Sequence, residues 1–123
     1  MPESTVRRLD QFPHELAYEG TTDIWTLDGS DLDAGVSYVK VRKGASLRPH
    51  YHDNPTVLIY VAKGSGYLNT GGGQEKPVKE GDIISIPKGA VHGFRTAEEE
   101  LEFLSIQTPR IYLEGTGKDT HFV

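Results

Sequence analysis

A chain of 123 residues has the length of one domain and can bury an adequate core. With 36% hydrophobic and 25% charged residues its composition is globular, which excludes a disordered chain. A net charge of −5 without a basic cluster argues against nucleic-acid or anionic-membrane partners, and the lack of cysteine excludes disulfides, thiolate nucleophiles and cysteine-based zinc sites.

The N-terminus has no apolar stretch of signal-peptide length, and no run approaches a transmembrane span. The expectation is a soluble cytoplasmic protein. Asn54-Pro55-Thr56 has the outline of a glycosylation acceptor, but proline in the middle position excludes it.

Residues 1–20 are polar and weakly patterned. His14 has no partner at ligand spacing, so a surface or packing role is expected. Residues 21–27, with Ile24, Trp25 and Leu27, read as a short strand whose tryptophan is core or dimer-interface mass. Asp28-Gly29-Ser30-Asp31 and Asp33-Ala34-Gly35 read as loop, without the spacing or closing glutamate of a calcium-binding EF-hand. Residues 36–41 form a strand of β-branched and aromatic residues. Arg48-Pro49-His50-Tyr51-His52 follows, then a turn at Asp53-Asn54-Pro55. Residues 57–62 are a continuous apolar run, expected to be a strand buried on both faces. Lys63-Gly64-Ser65-Gly66 is expected to turn the chain, with residues 67–70 leading back to a hairpin tip at Gly71-Gly72-Gly73. It is not a dinucleotide loop, since Asn69 stands where the third glycine belongs. After a turn at Glu80-Gly81-Asp82, residues 83–86, 94–96 and 101–107 read as strands, with Glu98-Glu99-Glu100 a solvated hairpin end. Short strands, frequent turns and no helical periodicity predict a single all-β domain over residues 1–123, a barrel or double-sheet jelly roll.

The chemistry centres on His50 and His52. Two residues apart on an extended chain, they present both imidazoles to one face. Pro49 and the turn after them restrain the backbone. His92 follows Pro87-Lys88-Gly89, a rigid turn that can aim a side chain inward. Imidazole is the commonest protein ligand for zinc, iron, nickel and copper, so the three are expected to share one ion. Metal binds neutral imidazole, and occupancy should fall below about pH 6.

At this point the chain resembles a known family. Residues 44–64 resemble the first cupin motif, G-x5-H-x-H-x3-4-E-x6-G, with Gly44, His50, His52 and Gly64 in register. Residues 81–96 resemble the second, G-x5-P-x-G-x2-H-x3-N, with Gly81, Pro87, Gly89 and His92 in register. The resemblance implies a double-stranded β-helix, a jelly-roll barrel holding one divalent transition metal on His50, His52 and His92, and often a homodimer. Two positions depart from the pattern: Val57, or Thr56 with the shorter spacer, stands for the glutamate ligand, and Thr96 for the closing asparagine. Three neutral histidines leave a divalent ion its full charge, which favours an anionic, chelating ligand, and they leave positions open for water, substrate or dioxygen. The arrangement resembles that of the three-histidine cupins, which include iron(II) dioxygenases acting on β-diketones and thiols and other proteins acting on sugar acids. The expected function is therefore a non-heme iron(II) dioxygenase for a small chelating or anionic substrate. The alternatives are a manganese, nickel or zinc isomerase, lyase or decarboxylase, and a non-catalytic ligand-binding protein.

With Val57 at the glutamate position, Ile59 and Val61 face inward by alternation. Ile84, Ile86, Phe94 and Phe103 are further candidates for the wall of a dry pocket. Tyr38 is a candidate hydrogen-bond donor to substrate and Arg48 a candidate clamp for an anion. Tyr51, between the two ligands, should point away from them. His121 reads as a tail residue unless the C-terminus folds back to cap the barrel. No general acid or base stands out.

Overall fold

The computed structural model of the chain describes residues 3–27, 34–109, 112–113 and 117–123. Of the loops expected at 28–31 and 33–35, residues 28–33 lie outside the described residues, and Gly35 opens a strand instead. Among those described the chain is built from strands: β1 (His14–Ala17), β2 (Thr22–Thr26), β3 (Gly35–Val41), β4 (Ser46–Tyr51), β5 (Thr56–Gly71), β6 (Gln74–Lys79), β7 (Ile83–Ile86), β8 (His92–Arg95), β9 (Leu101–Thr108), β10 (Tyr112–Leu113), β11 (Gly117–Lys118) and β12 (His121–Phe122). One 3-10 turn, Leu9–Gln11, precedes them. No helix among the described residues is long and apolar enough to cross a membrane.

All pairings are antiparallel, in the order β1-β2-β3-β9-β5-β8-β4-β12, with β6 and β7 also on β5; β10 and β11 pair separately. β5 is the hub. Its first half pairs with β7 and β9, its second half with β6 and β8. One strand thus belongs to both layers, and the sheet curls on itself as the all-β jelly-roll expectation requires.

The turn expected at Lys63-Gly64-Ser65-Gly66 is a bend inside β5 instead. Its register on β9 slips between Val61 and Lys63. Gly64 has φ +82°, and a Cβ there would lie 1.8 Å from the Glu100 carbonyl oxygen. Glycine is required on both counts, and it lets the strand change layers without ending.

The run at residues 57–62 is buried on one face, not two. Val57, Ile59 and Val61 point into the core, while Leu58 and Tyr60 are 46% and 48% exposed. Parallel sheets cover both faces of a strand, but in this antiparallel jelly roll no layer among the described residues buries the outer face. Phe94 and Phe103, ring centroids 4.8 Å apart, fill the interior beside them.

A bulge sets the phase of β4. Leu47 and His50 are both buried although they are three positions apart, and the register of β4 on β8 shifts between the two. A bulge adds one residue and reverses which side chains face inward. Without it, Leu47 in the core would send both histidines outward.

Candidate metal centre

His50 stands opposite His92 across β4 and β8, and His52 follows just beyond β4. The turn before His92 is tied to this strand, since the Gly89 amide donates to the His52 carbonyl at 2.7 Å. The three imidazoles are 4%, 4% and 5% exposed for His50, His52 and His92. Their ring centroids lie 4.3–5.1 Å apart, and a ligand nitrogen from each lies within 4.8 Å of the others.

Each ring is fixed by a backbone carbonyl. His50 Nδ1 donates to Arg48 O at 2.7 Å, His52 Nδ1 to Asp119 O at 2.6 Å and His92 Nδ1 to Ala90 O at 3.0 Å. A carbonyl oxygen only accepts, so each Nδ1 carries the proton and each Nε2 the lone pair. Burial pushes the His92 imidazole down to about 4, against the bond to Ala90 O and with the His52 charge adding. His92 is therefore neutral at physiological pH, as a metal ligand must be, and protons compete for it only at lower pH than for an ordinary histidine. Three imidazole nitrogen donors held this way fit a divalent transition ion.

The histidines sit in the wall of a cavity of about 280 Å³. Val57, Ile59, Phe94 and Phe103 line it. Val57, at the glutamate position, gives the group no carboxylate. Val61, Ile84 and Ile86 are buried in the core and are not part of the cavity wall. Tyr38 is on the outer face of β3, because Val39 and Val41 take the inner one; its hydroxyl donates to Glu102 at 2.9 Å, and burial and Glu102 push it up to about 12. Arg48 is exposed, with its guanidinium 4.6 Å above the Phe122 ring. The bulge in β4 turns it away from the cavity. Thr96, at the asparagine position, is buried and bonded to the 42–45 turn: its hydroxyl accepts from the Ala45 amide at 2.9 Å and donates to Arg42 O.

Several cavity residues escaped the sequence reading. On β9, Ser105 and Gln107 are buried, line the cavity and bond to each other, with Gln107 Nε2 donating to Ser105 Oγ at 2.6 Å. Alternation from Phe103 places both on the inner face. Tyr18 lines the cavity with its ring stacked on His50 at 5.8 Å. Its φ of 51° is left-handed, a costly conformation for a bulky residue and one found at functional sites. Burial, with Glu15 adding, pushes its hydroxyl up to about 12, so it is a donor throughout the physiological range. Nothing in residues 1–20 marks it, because β1 and β2 bring it there.

His14 lies on the surface, bonded to Asp23 at 2.9 Å and packed on Trp25. Tyr51 points away from the cavity and stacks on His121, ring centroids 5.1 Å apart. The C-terminus does fold back: β12 pairs with β4, and His121 Nε2 lies 3.0 Å from both Asp53 and Asp119 carboxylates.

Known proteins share this architecture. The chain is similar to an uncharacterized protein of Aquifex aeolicus, 44% identical over 72 residues that are 58% of this chain and 55% of that protein. It spans about half the length, or less, of the curated relatives it matches. Among solved structures it is similar to the polyketide cyclase RemF from Streptomyces resistomycificus, with a TM-score of 0.79, 25% identity, and 98% of this chain and 86% of that one covered. A predicted oxalate decarboxylase from Thermotoga maritima superposes with a TM-score of 0.75 at 22% identity, covering 85% of this chain and 99% of that one, and supports the fold alone. Residues 37–107 match the family model described as the Cupin domain, and since they hold β3 through most of β9 with all three clustered histidines, the chain belongs to the cupin family.

Proposed function

We propose that this cupin is a small-molecule metalloenzyme in which His50, His52 and His92 hold one divalent transition ion, iron first and zinc, nickel or manganese as alternatives. The observation that carries the reading is the shared orientation of the three rings: every Nδ1 is committed to a backbone carbonyl, and every Nε2 lone pair belongs to a buried cluster in a cavity wall. When bound, the ion supplies Lewis acidity and, if it is iron, redox chemistry with dioxygen. The protein binds and orients. With Val57 in place of a carboxylate the centre keeps its full positive charge and favours an anionic, chelating substrate such as an enolate. The apolar wall of Val57, Ile59, Phe94 and Phe103 excludes water around that substrate. The Tyr18 hydroxyl, the Ser105 hydroxyl and the second Nε2 hydrogen of Gln107 are donors in the lining that can reach its oxygens.

The leading reaction is dioxygenation. The second reading, a redox-neutral lyase, isomerase or decarboxylase reaction, draws support from the likeness to a polyketide cyclase. The readings part in one experiment: the iron-loaded protein with a β-diketone in an oxygen electrode. Oxygen uptake matched to substrate loss supports the dioxygenase. Substrate loss without uptake supports the redox-neutral reaction, and neither, across iron, manganese, nickel and zinc, leaves a ligand-binding protein.

We also propose a homodimer. Trp25, Tyr38, Leu104, Tyr60 and Ile83 form one row in register across β2, β3, β9, β5 and β7. They occupy the outer face, where Ile83 is 68% exposed. Ile106 and Leu58 pair in the next row. A two-fold axis brings the same patch of two copies together, and a second copy of the chain is the partner proposed for this one.

A further inference from the structure

His50 and His92 take their fixing carbonyls from residues two positions earlier, Arg48 and Ala90. Folding the strand delivers those bonds. His52 is different, because its acceptor, the Asp119 carbonyl, is 67 residues further along the chain. Thr120 Oγ1 stands behind it at 3.4 Å.

Asp119 is anchored in turn. Its buried carboxylate accepts from the Asp53 amide at 3.0 Å, the Asn54 amide at 3.0 Å and Asn54 Nδ2 at 3.1 Å. The residues it grips are therefore those next to His52. The chain then runs back along the histidine strand, with His121 paired to Tyr51 and Phe122 to His50. The Val123 amide donates to Pro49 O at 3.3 Å. The Phe122 ring lies between the Arg48 guanidinium, at 4.6 Å, and the His50 ring, at 6.0 Å.

Building on the three-histidine reading, we infer that residues 119–123 are a clasp whose docking is coupled to metal binding, and that Asp119 is the positioning residue for His52. The two-residue β12 ends the sheet order and can open at small cost. With the clasp open, the His52 Nδ1–H loses the Asp119 carbonyl as its acceptor. With it closed, the ring is fixed in the tautomer and orientation that put its lone pair on Nε2. A cation on Nε2 polarises the Nδ1–H bond and strengthens its hold on Asp119 O. By linkage the metal must hold the clasp as firmly as the clasp holds the metal.

The test uses cobalt(II) alone as probe, on the full chain, with affinity read by chelator competition and the ligand field by visible absorption. Asp119→Ala keeps the carbonyl but frees it from its anchor. It is expected to weaken cobalt about 10- to 100-fold and change the absorption bands. Asp119→Asn, which retains one accepting oxygen, should fall between Asp119→Ala and wild type. In the wild type, cobalt should slow hydrogen exchange at the Asp53 and Asn54 amides. This measurement decides the matter even if Asp119→Ala fails to fold. Wild-type cobalt affinity in a folded Asp119→Ala, or exchange at those amides unmoved by cobalt, overturns the clasp but leaves the metal centre. A wild type that binds no cobalt overturns the centre itself, and the clasp with it.

Discussion

Val57 on β5 and Gln107 on β9 stand opposite each other in register, both buried in the wall of the histidine cavity. The cupin pattern puts a carboxylate where Val57 stands, so this pair distinguishes the centre from a four-ligand one. Val57→Glu should reverse the difference. The metal-free variant should lose stability, since a buried carboxylate without a partner costs several kcal/mol or takes up a proton. Adding a divalent ion should then raise its Tm more than that of the wild type, because the new carboxylate joins the ligand set. Thermal unfolding with and without manganese or cobalt checks this. An equal rise in both proteins would mean that position 57 does not face the ion.

Gly64 is the point where β5 changes layers. Gly64→Ala must adopt a left-handed φ and displace the Glu100 carbonyl. The conformation alone costs about 1–2 kcal/mol, and the clash adds to it. Gly72→Ala, also at positive φ but with open space around it, should cost less. Urea unfolding of the two variants should separate them, and equal losses would count against a layer-switching bend.

Asp23 joins β2 to its surroundings. It accepts from Arg42 Nε and Nη2 at 3.0 and 3.1 Å and from His14 at 2.9 Å. The Arg42 hydrogen bonds hold its carboxyl below the ordinary carboxylate range, against burial, with His14 helping. A pKa lower in the folded than in the unfolded chain means that the unfolded chain binds the proton first. The stability is present above the unfolded value near 3.8 and is lost as pH falls through the folded one. Asp23→Asn should cost about 1–2 kcal/mol at pH 7, and the difference from wild type should shrink below pH about 4. A difference that persists unchanged to pH 2 would mean that the charge contributes nothing.

The proposed dimer is tested on the outer row of the sheet. Ile83→Lys and Tyr60→Glu place opposite charges on facing exposed positions, so each chain should fold with a stability change within about 0.5 kcal/mol. Sedimentation equilibrium should show a dimer for the wild type and a monomer for the double variant. A wild-type monomer, or a double variant that remains dimeric, would remove this face as the interface.

How much of this was legible in the sequence depends on the range of the forces involved. The shared face of His50 and His52 follows from the two-residue period of a strand, and the glycine and proline positions around His92 fix a local turn. Those are short-range facts, and the residues themselves state them. The bulge in β4 is not, since it appears only as a slip against β8; it reversed the expectation for Arg48. Tyr38 was misplaced because a strand's period shows which residues share a face, not which face is inside. The apolar run at 57–62 suggested two buried faces, yet no other part of the described chain buries its outer one, where Leu58 and Tyr60 are exposed. Tyr18 and Asp119 reach the centre through long-range pairings of short, weakly patterned strands, and nothing local announces them.

The most direct test of the central claim is the metal content of protein purified without added nickel or chelator, beside His52→Ala. One divalent transition ion per wild-type chain and none in a folded variant is the expected result. A wild type that takes up no metal even after reconstitution, or a variant that keeps it in full, would contradict a centre built on His50, His52 and His92.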